Sequence, residues 1–144
     1  MKTYDYASNG IYFLTICARG GHCLFANSKT MAISEIGQIV KQGLEQIDSR
    51  YPGVHIEKYV IMPNHVHILM YMHSANATVS TIISQYKRYV TLCAGETVWQ
   101  KSFHDHVVRG EEDYRLIWEY MENNPAKWIE DRYYAQIGRA SCRE

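Results

Sequence analysis

The stretch Tyr-Val-Ile-Met-Pro-Asn-His-Val-His-Ile-Leu-Met, residues 59–70, leaves this chain few ways to fold. Apolar and β-branched residues flank a single Pro63-Asn64 step on both sides. Proline fixes φ for the second position of a tight turn, and asparagine tolerates the turn that follows. The run therefore reverses there, giving two antiparallel strands, Val54 to Met62 and His65 to Met72. Side chains alternate faces along a strand, so His65 and His67 share one face while Val66 and Ile68 point into a core. Two imidazoles side by side form a natural ligand pair for a divalent metal. The plainer alternative has one histidine exposed and the other packed.

The remaining segments fall around this hairpin. Gly10 to Arg19, rich in β-branched and aromatic residues, reads as a central strand. Ser34 reads as an N-cap for a helix whose apolar stripe is Ile36, Ile39, Val40, Leu44 and Ile47, ended by Tyr51-Pro52-Gly53. A second helix spans Thr78 to Cys93 through Val79, Ile82, Ile83, Tyr86 and Val90, with Lys87 and Arg88 on its outer side. An extended segment follows from Val98 through Phe103 to Val108. The last helix starts near Glu111, where three acidic residues suit the positive end of the dipole, and runs to about Asn123, where Asn124-Pro125 is expected to break or kink it. Strand, helix, strand, strand, helix, strand predicts an α+β fold: a ferredoxin-like (RRM-like) split β-α-β sandwich with helices on one face and a further C-terminal helix. The open face of such a sheet is a common platform for single-stranded nucleic acid.

With 144 residues, 47% of them hydrophobic and 21% charged, the chain suits one globular domain. We place that domain at residues 1–136. The last eight residues, Ile137-Gly138-Arg139-Ala140-Ser141-Cys142-Arg143-Glu144, resemble the translation of an adapter oligonucleotide and read as a non-native tail. A formal net charge of zero argues against binding nucleic acid through bulk charge, although Lys87, Arg88, Lys101 and Arg109 fall in one part of the chain. No apolar run approaches the roughly 18 residues of a membrane span. The four cysteines (Cys17, Cys23, Cys93, Cys142) show no paired spacing and, without a signal-like N-terminus, read as reduced thiols of a cytoplasmic protein.

On the final helix Tyr114, Ile117, Trp118 and Met121 make one apolar stripe, and Tyr120 falls about 110° from its centre. Asn124 lies one turn beyond Tyr120, so the two are neighbours on a flank not committed to the core. Helix geometry alone favours reading Tyr120 as one of twelve tyrosines, on a half-exposed helix flank.

Taken in order, Tyr59 to Leu69, then Trp99 to Arg109 (Trp-Gln-Lys-Ser-Phe-His-Asp-His-Val-Val-Arg), Glu112-Asp113-Tyr114 and Tyr120-Met121-Glu122-Asn123-Asn124-Pro125 closely resemble the REP-associated tyrosine transposases. These belong with the single-tyrosine HUH transposases of bacterial insertion sequences. The resemblance runs from about Tyr12 to Trp128. It implies a metal-dependent single-strand DNA endonuclease and strand transferase acting at hairpin-forming, REP-like repeats. By the same resemblance His65 and His67 are the paired metal ligands, Tyr120 is the nucleophile and Asn124 is the third, polar ligand. The implied cofactor is Mg²⁺ or Mn²⁺, which a mixed nitrogen and oxygen donor set accommodates.

Lys87, Arg88 and Arg109 are candidate DNA-phosphate contacts. His104-Asp105-His106 is a second H-x-H, expected to be structural or DNA-facing rather than a second metal site. Trp99 and Phe103 are read as core before base-stacking platforms. The resemblance leaves monomer and homodimer both open. Two other functions remain at this point: a hairpin-binding module that does not cut, and a hydrolytic nuclease with water as nucleophile.

Overall fold

The computed structural model describes residues 9–135; the predicted tail at 137–144 lies outside them. Strand β1 (Gly10–Cys17) is followed by a 3-10 turn at Arg19–Gly21, helix α1 (Glu35–Arg50), strands β2 (Val54–Met62) and β3 (His65–Met72), helix α2 (Val79–Ala94), strand β4 (His104–Val107) and helix α3 (Glu111–Ala135). The strands form one sheet ordered β2-β3-β1-β4, antiparallel at every pairing. This is the predicted split β-α-β arrangement, and among the described residues no helix is long and apolar enough to cross a membrane.

Local chemistry explains the element ends. Ser34 Oγ accepts the amide of Gly37 at 2.9 Å, and Thr78 Oγ1 accepts that of Thr81 at 3.1 Å, each satisfying an otherwise orphaned donor of a helix N-terminus. Gly95 closes α2 at φ 77°, a left-handed conformation that side chains with a Cβ disfavour. Gly37 answers a different demand. A Cβ there would lie 2.1 Å from the carbonyl oxygen of Phe25, so only glycine lets α1 approach the 25–33 loop this closely.

The two faces of the sheet carry separate cores. Tyr12, Leu14 and Ile16 of β1 with Val66, Ile68, Met70 and Met72 of β3 pack against Val40, Leu44 and Ile47 of α1 and Ile82, Ile83, Tyr86 and Val90 of α2. Trp99 joins this core between Phe25 and Tyr86, and Phe103 packs against it; both are core residues, as their apolar setting predicts. On the opposite face Leu69 packs against Ile117 and Met121 of α3, with Phe13, Val60, Tyr114 and Trp118 around them. The face that the pattern leaves open is thus crossed by α3.

One expectation is narrowed: of the break or kink expected at Asn124-Pro125, the break is absent, and α3 continues to Ala135. An interior proline costs roughly 3 kcal/mol through a lost hydrogen bond and a clash, and docked contacts offset it on both sides. Met121 is fully buried before the proline, and Trp128 Nε1 donates to the Ser28 carbonyl at 2.8 Å after it. Of the cysteines, Cys23 and Cys93 are free and exposed.

Candidate functional site

The site grows from the β2–β3 turn. Register puts His65 opposite Met62 on β2 and Cys17 on β1, and His67 opposite Val60 and Thr15. Both histidines face α3, as alternation predicts, with ring centroids 4.7 Å apart and their planes nearly perpendicular. They are 6% and 4% exposed. Burial pushes the His65 imidazole down to about 4. It pushes His67 to about 3, helped by the neighbouring His65 and opposed by the adjacent Asn124 side chain. Both rings are therefore neutral at physiological pH, the state a metal requires.

Each ring is held through Nδ1. His65 Nδ1 lies 2.7 Å from Asn64 Oδ1, and His67 Nδ1 lies 2.9 Å from Thr15 Oγ1. Phe13 stacks on His67 at 5.2 Å. By strict hydrogen-bond geometry the buried Nε2 of His67 is unmatched among the described residues, with the Asn124 side chain close enough to favour its protonation. A buried polar atom left unmatched costs about 1–3 kcal/mol, so its persistence beside a second neutral imidazole fits a metal-binding position.

Helix α3 completes the constellation. Its apolar stripe docks on Leu69, which turns Tyr120 toward the histidines. The Tyr120 ring sits edge-on to His67 at 5.4 Å and to Phe13 at 6.2 Å, and the residue is 52% exposed. One turn on, Asn124 is 6% exposed, so the flank that helix geometry assigns to both residues divides into a solvent-facing tyrosine and a buried amide. Asn124 Nδ2 donates to the Tyr120 carbonyl at 2.8 Å, leaving Oδ1 as the available donor atom to a cation. Among the described residues no cluster of three or more His, Cys, Asp and Glu could hold a metal. The Asn124 side chain lies next to His67 and brings an amide to the histidine pair. Lys58 helps hold the helix, reaching Glu122 at 2.6 Å and lying 4.5 Å over the Trp118 ring.

The three predicted phosphate contacts do not converge on these groups. Lys87 and Arg88 belong to α2, on the opposite face of the sheet. The Lys87 ammonium donates to the carbonyls of Gln100 and Lys101 at 2.9 and 3.3 Å, tying α2 to the segment before β4. Arg109 follows β4 at the end of the sheet away from the histidines, with its amide bonded to Asp113 Oδ2 at 2.8 Å. His106 Nε2 also meets Asp113 Oδ2, at 2.8 Å, which ties the end of β4 to the start of α3.

Thr15 and Asn64 are functional neighbours that sequence reasoning missed. Asn64 carries a signal, directly before the histidine pair, that turn chemistry absorbed. Thr15 carries none, because strand register alone brings it to His67.

No family model matches the chain. An uncharacterized protein of Haemophilus influenzae is 32% identical over 162 aligned positions, covering 93% of this chain and 90% of the relative. The REP-associated tyrosine transposase of Escherichia coli is 24% identical, covering 86% and 72%. A solved REP-associated tyrosine transposase bound to a REP hairpin superposes with a TM-score of 0.72 at 24% identity, over 90% of this chain and 77% of that one.

Proposed function

We propose that the chain belongs with the REP-associated tyrosine transposases, which it resembles in sequence and fold, and that it nicks and rejoins single-stranded DNA at hairpin-forming repeats. The observation that carries this reading is the convergence, within one chain, of the Tyr120 phenol on a buried neutral histidine pair with an unmatched Nε2. His65, His67 and Asn124 would hold Mg²⁺ or Mn²⁺. The ion when bound would polarise the scissile phosphate and offset its developing charge.

Tyr120 does the covalent work. Its Oη attacks the phosphorus, the bond to the 3′ oxygen breaks, and the leaving oxygen takes a proton to become a free 3′-hydroxyl. The phenolic proton passes to solvent, which the half-exposed ring admits. The 5′-phosphotyrosine bond conserves the phosphodiester energy, so a second 3′-hydroxyl can reverse the step and join the strands. Phe13 and the α3 stripe fix the approach of the phenol. Arg88 and Arg109, exposed and away from the centre, are suited to phosphates outside the cleaved step, and Lys87 has one ammonium proton left for the same purpose.

The test is an adduct assay. Labelled hairpin oligonucleotides from DNA flanking the gene are incubated with protein and Mn²⁺ or Mg²⁺, then run on a denaturing gel. A shifted band in wild type, absent in Tyr120→Phe and His65→Ala, is expected. Cleavage that survives Tyr120→Phe would make water the nucleophile. Binding with neither adduct nor cleavage would leave a hairpin-binding module.

A further inference from the structure

We infer that Asn64 is a positioning residue: a relay from the Gly21 carbonyl through the Asn64 amide to His65 fixes which imidazole nitrogen is free to bind a metal. Asn64 is 3% exposed, and both ends of its amide are engaged. Nδ2 donates to the Gly21 carbonyl at 3.3 Å, and Oδ1 lies 2.7 Å from His65 Nδ1. The opposite amide orientation would set Oδ1 against the Gly21 oxygen, two acceptors facing each other with no proton between them.

The orientation being fixed, Oδ1 can only accept, so His65 must carry its proton on Nδ1. In a neutral ring that leaves the lone pair on Nε2. Free histidine in water prefers the other tautomer, with the proton on Nε2 and no lone pair there. The relay thus reverses the intrinsic preference at the ring beside the unmatched His67 Nε2.

The anchor is itself rigid. The Ala18 amide donates to the Asn64 carbonyl at 2.9 Å, and the Phe25 amide to the Pro63 carbonyl at 2.9 Å, so the 18–25 strap and the β2–β3 turn are laced together. Gly20 and Gly21 take positive φ of 62° and 72°, giving the strap the curvature that presents the Gly21 carbonyl. A ligating histidine whose second nitrogen is held by an outer partner is the usual way to set tautomer and ring angle. Here the partner is an amide one residue away along the chain.

This inference rests on the metal reading above, and its test separates the two. Long-range ¹H–¹⁵N correlation on the metal-free protein reads the His65 tautomer directly, and calorimetric titration with Mn²⁺ reads the site. Expected are a proton on Nδ1 in wild type, a switch toward Nε2 in Asn64→Ala, and Mn²⁺ affinity in that variant lower by about 10–100-fold. The amide shifts of Val66 and Ile68 report whether the sheet is intact. A wild-type proton on Nε2 overturns the proposal without recourse to any variant, as does an unchanged tautomer in folded Asn64→Ala. If the tautomer switches but Mn²⁺ affinity is indifferent to both Asn64→Ala and His65→Ala, the metal reading fails, and the role of Asn64 toward a metal falls with it.

Discussion

The molecule carries the same three-residue pattern twice, and the two copies have opposite fates. His65-Val66-His67 lies on the inner strand β3, roofed by α3, with both rings buried and neutral. His104-Asp105-His106 lies on the edge strand β4, with all three residues exposed. In the first, Nδ1 of each ring has a partner and the Nε2 of His67 is unmatched. In the second, His106 gives Nε2 to Asp113, clipping β4 to the start of α3. Spacing sets which way a pair of side chains points. Strand position in the sheet, and what lies over it, set whether the pair can act as ligands.

The sharpest way to break this contrast is to exchange the losses. His67→Ala should abolish adduct formation and lower Mn²⁺ affinity by more than the roughly 10–100-fold of an outer partner. His104→Ala and His106→Ala should leave Mn²⁺ affinity unchanged in the same calorimetric titration. A metal response from the β4 pair would end the distinction.

Next in size is the roof over the first pair. Met121→Ala empties a fully buried position against Leu69 and is expected to cost about 2–5 kcal/mol in urea unfolding. By loosening α3 it should reduce adduct yield with any divalent ion. Full yield at that loss of stability would show that Tyr120 reaches the site without the docked stripe.

The clip at the second pair should matter less, and to stability alone. The Arg109 amide and then His106 hold the Asp113 carboxyl below its ordinary range. Its stabilisation is therefore fully present above the unfolded carboxylate value of about 3.9 and is lost as pH falls through the lower folded value. Asp113→Ala should show a small drop in melting temperature at pH 7 and a flatter loss of stability on acidification, with Mn²⁺ binding unmoved. Smallest of all, Lys58→Met removes a surface ion pair with Glu122 and should cost about 0.2–1 kcal/mol from the pair. The lost cation–π contact with Trp118 adds about 0.5–1. Double-mutant unfolding with Glu122→Gln apportions the two.

Much of this was legible in the chain. β2 and β3 have the bounds that the Pro63-Asn64 turn and alternation give, and Ser34 and Thr78 sit at the ends of the helices they were expected to start. His65 and His67 share a face because a strand has period two. Pro125 does not end α3 because the helix is docked on both sides of it, which a local rule about helix interiors takes no account of. Asn124 was placed on a flank but is buried, because a helical wheel knows angles within a helix and nothing of the sheet beneath it.

By itself, then, the sequence determined periodicities and ends: strands, helices, the turn, the facing histidines, and a tyrosine off the apolar stripe. These follow from bond geometry and nearest neighbours, which a linear chain encodes directly. Only the tertiary structure decided that α3 crosses the second face and that Tyr120 meets His67. It also decided that Thr15 supports that ring, and that Lys87 serves the fold from the far side of the sheet. Those facts depend on contacts between residues well apart in the chain, 52 positions for Thr15 and His67 and 13 for Lys87 and Gln100, set by which surfaces fit each other once the elements exist.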